Sequence, residues 1–314
     1  MATGKNPPKP KVVVLGSVNM DLVATMRRMP DLGETVAGDG FFTAGGGKGA
    51  NQAVALARLG ADVRMVGKVG DDDFGRALLD GLRAEGVDVH DVALDAAHST
   101  GVAIILVDAA GQNRIAAVYG ANMACDKRQL AAAKRAMNGA DILMLQLETP
   151  PEISVAAAMH ARSIGVRVVW DPAPAAAMPD DGFATADILT PNEIEAAELT
   201  GISVKGVQGA RDAAKSLLAK GVGVAVVKLG QQGVYAASAD KEYFVPPLKV
   251  DMVDSVAAGD AFGAGLAVAL AEGNGIDNAL KFGAAAGALA VTKPGARDAM
   301  PFRTDVESLL AQSP

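Results

Sequence analysis

Along this chain, short apolar runs that end in a glycine or a polar residue alternate with longer stretches of helical period. Val12 to Gly16 is a β-branched run closed by glycine and reads as a buried strand. Val63 to Val69, Ile142 to Leu147, Val166 to Trp170 and Val222 to Lys228 repeat that signature. Between and after them the pattern predicts helices over Ala53–Leu59, Asp72–Glu85, Asp126–Met137, Glu152–Ile164, Ala261–Glu272 and Ile276–Val291. Such alternation predicts an α/β fold with a mostly parallel sheet covered on both faces and ligands at the carboxyl ends of its strands. Two segments break the rhythm and are expected to form a small separate sheet. One is Leu22 to Phe42, turn-rich from Pro30 to Gly40; the other pairs Gly101–Asp108 with Gln112–Tyr119 around Ala109-Ala110-Gly111.

Polar groups gather at the strand ends. Glu148 follows the run Leu143 to Leu147, Asp171 follows Val168-Val169-Trp170, and Asn192 and Glu195 follow Ile188-Leu189-Thr190-Pro191. Asn19 and Asp21, two apart, share one face of a strand, as an ordinary exposed face or as ligand contacts. Ala44 to Gln52 resembles a phosphate loop, but Phe42 and Gly49 break the Walker pattern and Gln52 breaks the dinucleotide one. What remains is either a flexible turn or a backbone that a ligand can approach closely, with Lys48 and Asn51 close to a helix start. Asn192 and Glu195, three apart, read as a capping box or as a carboxylate within reach of a hydrated Mg²⁺. Gly230 and Gly233 bracket a turn that suits either a tight reversal or a bed for phosphates. In Val253 to Gly265 small residues lead through Ala257, Ala258, Gly259 and Asp260 into a long apolar run. A capped helix looks like this; so does an anion hole of backbone amides with a proton acceptor beside it, as phosphoryl transfer to a hydroxyl requires.

Composition narrows the field. A chain of 314 residues, half of them hydrophobic, can bury a large core. Met1 to Lys11 is polar and Pro-rich, an expected tail before a single domain over 12–314. A net charge of −7 argues against a nucleic-acid partner. One cysteine and three scattered histidines leave no disulfide framework and no Cys/His metal site. No signal peptide or membrane span is visible, so no membrane association and a cytoplasmic location are expected.

Taken together, five stretches in this order resemble the ribokinase family of sugar kinases, the PfkB group. They are Gly16–Asp21, Gly46–Gln52, Gln146–Glu148, Thr190–Glu195 and Ala257–Asp260, within a likeness running from about Val12 to Pro301. The resemblance implies a three-layer α/β/α sandwich with a small β-sheet lid drawn from about 17–45 and 100–121. It implies ATP-dependent phosphorylation of D-ribose at the 5-hydroxyl, with Asp260 as base and the amides of Ala257, Ala258 and Gly259 as anion hole. Asn19, Asp21, Gly47, Lys48, Asn51 and Glu148 would hold the sugar, together with Asp260. Asn192, Lys228, Gly230, Gly233, Gly259 and Ala284 would hold ATP, and Glu195 would stand near the water shell of Mg²⁺. A K⁺ site would use Asp254, Val256, Ala290, Lys293, Gly295 and Ala299. Ala299 stands where a serine hydroxyl is common, and Ala284 where a more polar residue often meets adenine. The lid would close over the sugar and serve as a homodimer interface. Two alternatives remain: a kinase of the same family for another pentose or a nucleoside, and a sugar-binding sensor without chemistry. Asn19, Asp21 and Glu148 favour a small free pentose, and retention of Asp260 speaks against the sensor.

Overall fold

The computed structural model of the chain describes residues 8–312. Most of the expected tail, residues 1–7, lies outside the described residues, and Lys11 already belongs to the first strand. The strands of the main sheet are β1 (Lys11–Leu15), β4 (Asp62–Gly70), β5 (Asp88–Asp95), β8 (Ile142–Leu145), β9 (Arg167–Trp170), β10 (Ile188–Leu189), β11 (Val224–Lys228), β12 (Val234–Ser238) and β13 (Glu242–Val245). They order as β13-β12-β11-β10-β9-β8-β1-β4-β5, nine strands in all. Every pairing from β11 across to β5 is parallel, and β12 and β13 add an antiparallel edge. Parallel pairing brings the ends of β1, β8, β9, β10 and β11 to one edge of the sheet. That edge is where the polar residues of the sequence pattern follow the apolar runs.

Alternation along β1 divides the core. Val12 and Val14 belong to a cluster with α1 (Lys48–Arg58), α8 (Ala258–Ala271) and α9 (Ile276–Ala290). Val13 and Leu15 belong to the opposite cluster, with α3 (Lys127–Ala136), α4 (Pro151–Ser163) and α7 (Gly206–Ala219). Burying aliphatic side chains of this kind contributes about 1.5–3 kcal/mol each, so sandwiching on both faces supplies most of the driving force. The remaining helices are α2 (Asp73–Ala84), α5 (Asp180–Thr185), α6 (Glu193–Thr200) and α10 (Arg303–Gln312). Among the described residues no helix is long and apolar enough to cross a membrane.

The interrupting segments form a second sheet of four strands, ordered β3-β2-β6-β7, from β2 (Asn19–Met26), β3 (Gly38–Gly46), β6 (Gly101–Val107) and β7 (Asn113–Val118). It starts earlier than the Leu22–Phe42 expectation: β2 opens at Asn19, directly after β1 and the turn at Gly16 to Val18. The sheet therefore springs from the ligand edge of the main sheet. Two helices also start earlier than their apolar runs suggest. α1 begins at Lys48 rather than Ala53, and α8 at Ala258 rather than Ala261. In both cases the first turn is made of small or polar residues that periodicity does not register.

Candidate active site

The helix start at α1 comes from a glycine. Gly47 holds φ 88°, and a Cβ there would lie 2.7 Å from the Asn19 backbone nitrogen, so only glycine lets the loop lean on β2. Lys48 is then the first residue of α1 and Asn51 follows within its first turn. The Glu148 carboxylate, beyond the end of β8, accepts from the Lys48 backbone N–H at 3.1 Å and from the Ser17 hydroxyl in a short contact. Asn19 Oδ1 accepts from Asn122 Nδ2 at 2.7 Å, and Asn122 also accepts from the Val18 N–H at 2.9 Å. Asn19, Asn51 and Glu148 are buried, and Asp21 is half-buried. Burial, and then the nearby Glu148 charge, push the Asp21 carboxyl up to about 6, against the pull of Arg297. Arg297 is itself buried, packed on the backbone at Gly45, with its Nε and Nη2 unpartnered by protein. The residues expected to hold the sugar thus converge at the base of the small sheet.

Asp260 joins that group from the other side. It sits in the first turn of α8, 3% exposed, with Oδ2 accepting from Asn51 Nδ2 at 3.1 Å and Oδ1 from Gln52 Nε2 at 3.2 Å. Burial raises its carboxyl to about 6; Lys48 pulls down, while Asp171 and Glu148 push up. For the Lys48 ammonium, burial acts downward, but Asp260, Asp171, Glu148 and Glu195 outweigh it and hold it above the ordinary lysine range. An acid poised near neutrality beside a fixed cation is what proton acceptance from a hydroxyl calls for.

The turn before α8 gives the phosphoryl side its form. Ala257 adopts φ 58° and ψ 9°, the left-handed region that a non-glycine residue enters at a cost of about 1 kcal/mol or more. A left-handed residue followed by helical ones makes a concave nest of amides. The Ala258 N–H lies 3.5 Å from the Ser255 carbonyl, at the limit of a hydrogen bond, and the first-turn amides of Gly259 and Asp260 point out of the helix. Lys228, ending β11, forms a buried ion pair with Asp171 at 2.8 Å, and a Cβ on Gly259 would lie 3.0 Å from its Nζ. Its charge therefore stands beside the nest.

A cavity of about 1010 Å³ opens from there. Lys48 and Asp260 line it, as does an apolar set of Leu248, Ala284, Ala288 and Val291. Asn192, Glu195, Gly230 and Gly233 also line it. Asn192 and Glu195 do form the capping box: the Asn192 side chain accepts from the Glu195 N–H at 2.9 Å, and Glu195 accepts from the Asn192 N–H at 2.7 Å. The cap does not close Glu195 off, because the residue is buried yet lines the cavity. Burial, then Asp171, raise its proton affinity. Lys228 and Lys48 pull the other way, and a buried carboxylate that lines the cavity is a chemically suitable outer-sphere partner for a hydrated dication.

Behind the turn, Asp254 Oδ1 accepts from the Val256 N–H at 3.0 Å and Oδ2 from the Gly295 N–H at 3.0 Å. That carboxylate pins the two stretches expected to hold K⁺ against each other. The Val253 and Asp254 amides reach the Val291 carbonyl, next to Ala290 at the end of α9 and two residues before Lys293. A carboxylate with backbone carbonyls suits a hard monovalent cation. Ala299, also expected in that set, is 1% exposed and has no side-chain oxygen to offer. Among the described residues no three His, Cys, Asp or Glu side chains cluster to hold a metal.

The structure adds residues that sequence reasoning passed over as functional. Ser17, Gln52 and Gln146 lie inside the family-like motifs without a distinguishing local signal, and Asp171 reads along the chain only as a strand-end group. Asn122 and Arg297 carry no local signal at all; they reach the site from 103 residues beyond Asn19 and from after α9.

Comparison with known proteins agrees with this arrangement. The pattern of the pfkB family carbohydrate kinases matches residues 9–303. A ribokinase of Bacillus subtilis is 40% identical over 300 residues, covering 96% of this chain and 99% of its own. One from Haemophilus influenzae is 38% identical over 299 residues, covering 95% and 98%. A structure of Arabidopsis thaliana ribokinase complexed with ribose and ATP superposes with a TM-score of 0.89 at 33% identity, covering 96% of this chain and 99% of that one. Because the match runs through nearly the whole length and not through one motif, the chain belongs to the pfkB family of carbohydrate kinases.

Proposed function

We propose that the chain transfers the γ-phosphoryl group of ATP to the 5-hydroxyl of D-ribose, giving ribose 5-phosphate and ADP. The observation that carries this is Asp260, buried where the sugar-side cluster and the cavity meet and hydrogen-bonded to Asn51. Likeness to full-length ribokinases supports the choice of sugar and donor. Asn19, Asp21, Gly47, Lys48, Asn51 and Glu148 hold the sugar, since amides and carboxylates in one cluster suit a neutral polyol better than an anion. ATP lies along the cavity, its base on the apolar bed at Ala284 and its phosphates over Gly230, Gly233 and Asn192, toward Lys228. Asp260 accepts the hydroxyl proton as the oxygen attacks phosphorus. The amides of Ala257, Ala258 and Gly259 bind the charge on the transferring group.

Glu195 would hold the water shell of Mg²⁺, which supplies charge neutralisation of the phosphates. Asp254 with the carbonyls of Val256, Ala290, Lys293 and Gly295 would hold K⁺, which supplies a fixed positive field behind the nest. With Ala299 in place of a hydroxyl, one ligand falls to water. Residues 12–314 act as one domain and the four-stranded sheet as a lid that excludes water from the sugar. Val23, Phe42, Ile105 and Ile115 stand in register on the lid face that also carries Asp21, with Phe42 and Ile115 more than half exposed. An apolar face of this kind supports a lid-to-lid homodimer.

The test is a coupled ATP-consumption screen of free pentoses, 2-deoxyribose and nucleosides, with and without K⁺. The highest kcat/KM is expected with D-ribose, rising with K⁺. Turnover of a nucleoside but not of ribose would place the chain with another substrate of the family. Tight ribose binding with no ATP consumption would make it a sensor.

A further inference from the structure

Gln52 occupies a place that the reaction as described does not use. It is fully buried in the second turn of α1, and its Nε2 lies 3.2 Å from Asp260 Oδ1 and 3.4 Å from Asp171 Oδ2. Its Oε1 accepts from Gln146 Nε2 at 2.6 Å. The neighbours fix this orientation. Flipping the amide would set its oxygen against two carboxylates and its NH₂ against the Gln146 NH₂. One amide group thus gives its two hydrogens to two different acids. One of these is the base; the other holds Lys228 at 2.8 Å beside the phosphoryl nest and accepts from Thr190 Oγ1 at 3.3 Å.

We propose that Gln52 is a positioning residue for the transfer: it anchors Oδ1 of Asp260, turns Oδ2 toward the sugar hydroxyl, and keeps the base ionised beside Asp171. The inference rests on the reading of Asp260 as the proton acceptor. Oδ2 is the oxygen shared with Asn51, itself on the sugar side, so Oδ1 is the one available for anchoring. The charged groups facing Asp260 are Lys48 from α1, Asp171 from the end of β9, Glu148 beyond β8 and Lys228 from β11, with Glu195 of α6 acting on Lys48 across the same space. Two of them repel its negative charge, and burial does so more strongly. A donor aimed at the ionised form opposes both. Gln146 supports the same arrangement at one remove. Its Nε2 orients Gln52, while its own Oε1 has no partner, so it is placed by that contact and by packing.

The experiment reads the Asp260 carboxyl directly, by ¹³C NMR titration of aspartate-labelled protein, with Asp260→Asn identifying the resonance. Gln52→Met keeps length and apolar volume but donates nothing. Its Asp260 midpoint is expected to rise by about one pH unit or more. Its kcat for ribose should fall at least about tenfold, with ribose and ATP dissociation constants changed by less than about threefold. Gln146→Met touches no carboxylate and should raise the same midpoint by a smaller amount. It decides the matter if Gln52→Met does not fold. An unmoved midpoint in the folded variant, or a kcat loss explained by weaker ribose binding, overturns the proposal. The titration needs no turnover: wild-type protein that fails to phosphorylate ribose counts against the proposed function, whereas an unmoved midpoint counts against Gln52.

Discussion

Asp260 and Asp21 are both carboxylic acids pushed up to about 6, yet they stand in halves of the molecule built in opposite ways. Asp260 belongs to the main sheet's apolar interior, where α8 is buried along almost its whole length and amides from α1 grip the carboxylate. Asp21 belongs to the small sheet, whose strands β3 and β7 are exposed over most of their length. Burial acts on it first, and no amide grips it among the described contacts; Glu148 then pushes up and Arg297 pulls down from behind Gly45. The difference matches the two tasks proposed for them. A group that must meet a developing bond benefits from a rigid seat. A group that must admit and release a sugar benefits from standing on an element that can move.

Substitutions should reveal that separation, and the largest effect belongs to the rigid half. Asp260→Asn should lower kcat by about 10³-fold or more while the ribose dissociation constant, measured by calorimetry, moves less than about threefold. Comparable loss of both would erase the distinction. Next comes Asp21→Asn, which should raise the KM for ribose about 10- to 100-fold with kcat falling less than about tenfold. A pH series sharpens the contrast. Both acids must be ionised, so activity falls as pH drops through about 6. Steady-state rates should show log kcat/KM falling with a slope of about two, against about one for log kcat, where bound sugar already holds Asp21 in its charged form. Equal slopes would mean that one acid governs both parameters. The smallest effect is expected from Phe42→Ser, which should shift association state in analytical ultracentrifugation and leave kcat within about threefold.

Some of this was legible along the chain. The β/α alternation announces the main sheet because its strands, buried on both faces, read as continuous apolar runs. β5 escaped because Asp88, His90 and Asp91 interrupt its apolar residues, and a parallel edge strand needs only one covered face. α7 opens at Gly206 with no side-chain cap, and α10 buries only Val306, so neither carries a strong local signature. The site divides in the same way. Gly47, Lys48 and Asn51 stand together where α1 starts and can be read there. The Asp171–Lys228 pair spans 57 residues and the Gln52–Asp260 bond spans 208, so each exists only once the parallel strands have brought their ends together.

The seating of α8 has a consequence for how this enzyme tolerates change. A Cβ on Gly265 would lie 3.0 Å from both the Ala286 Cβ and the Gly283 Cα, so α8 and α9 meet nearly backbone to backbone. Ala and Gly surrender almost no rotamer freedom on folding, whereas longer buried side chains surrender up to about 1.5–2 kcal/mol each. The proposed base is therefore held by a contact that orders few side-chain torsions. Such a contact has little slack, because no neighbouring side chain can rearrange to absorb an added methyl. In a mutational scan, enlarging residues along this seam would inactivate by displacing Asp260 from a chain that is still folded, and the lost activity would precede any lost thermal stability.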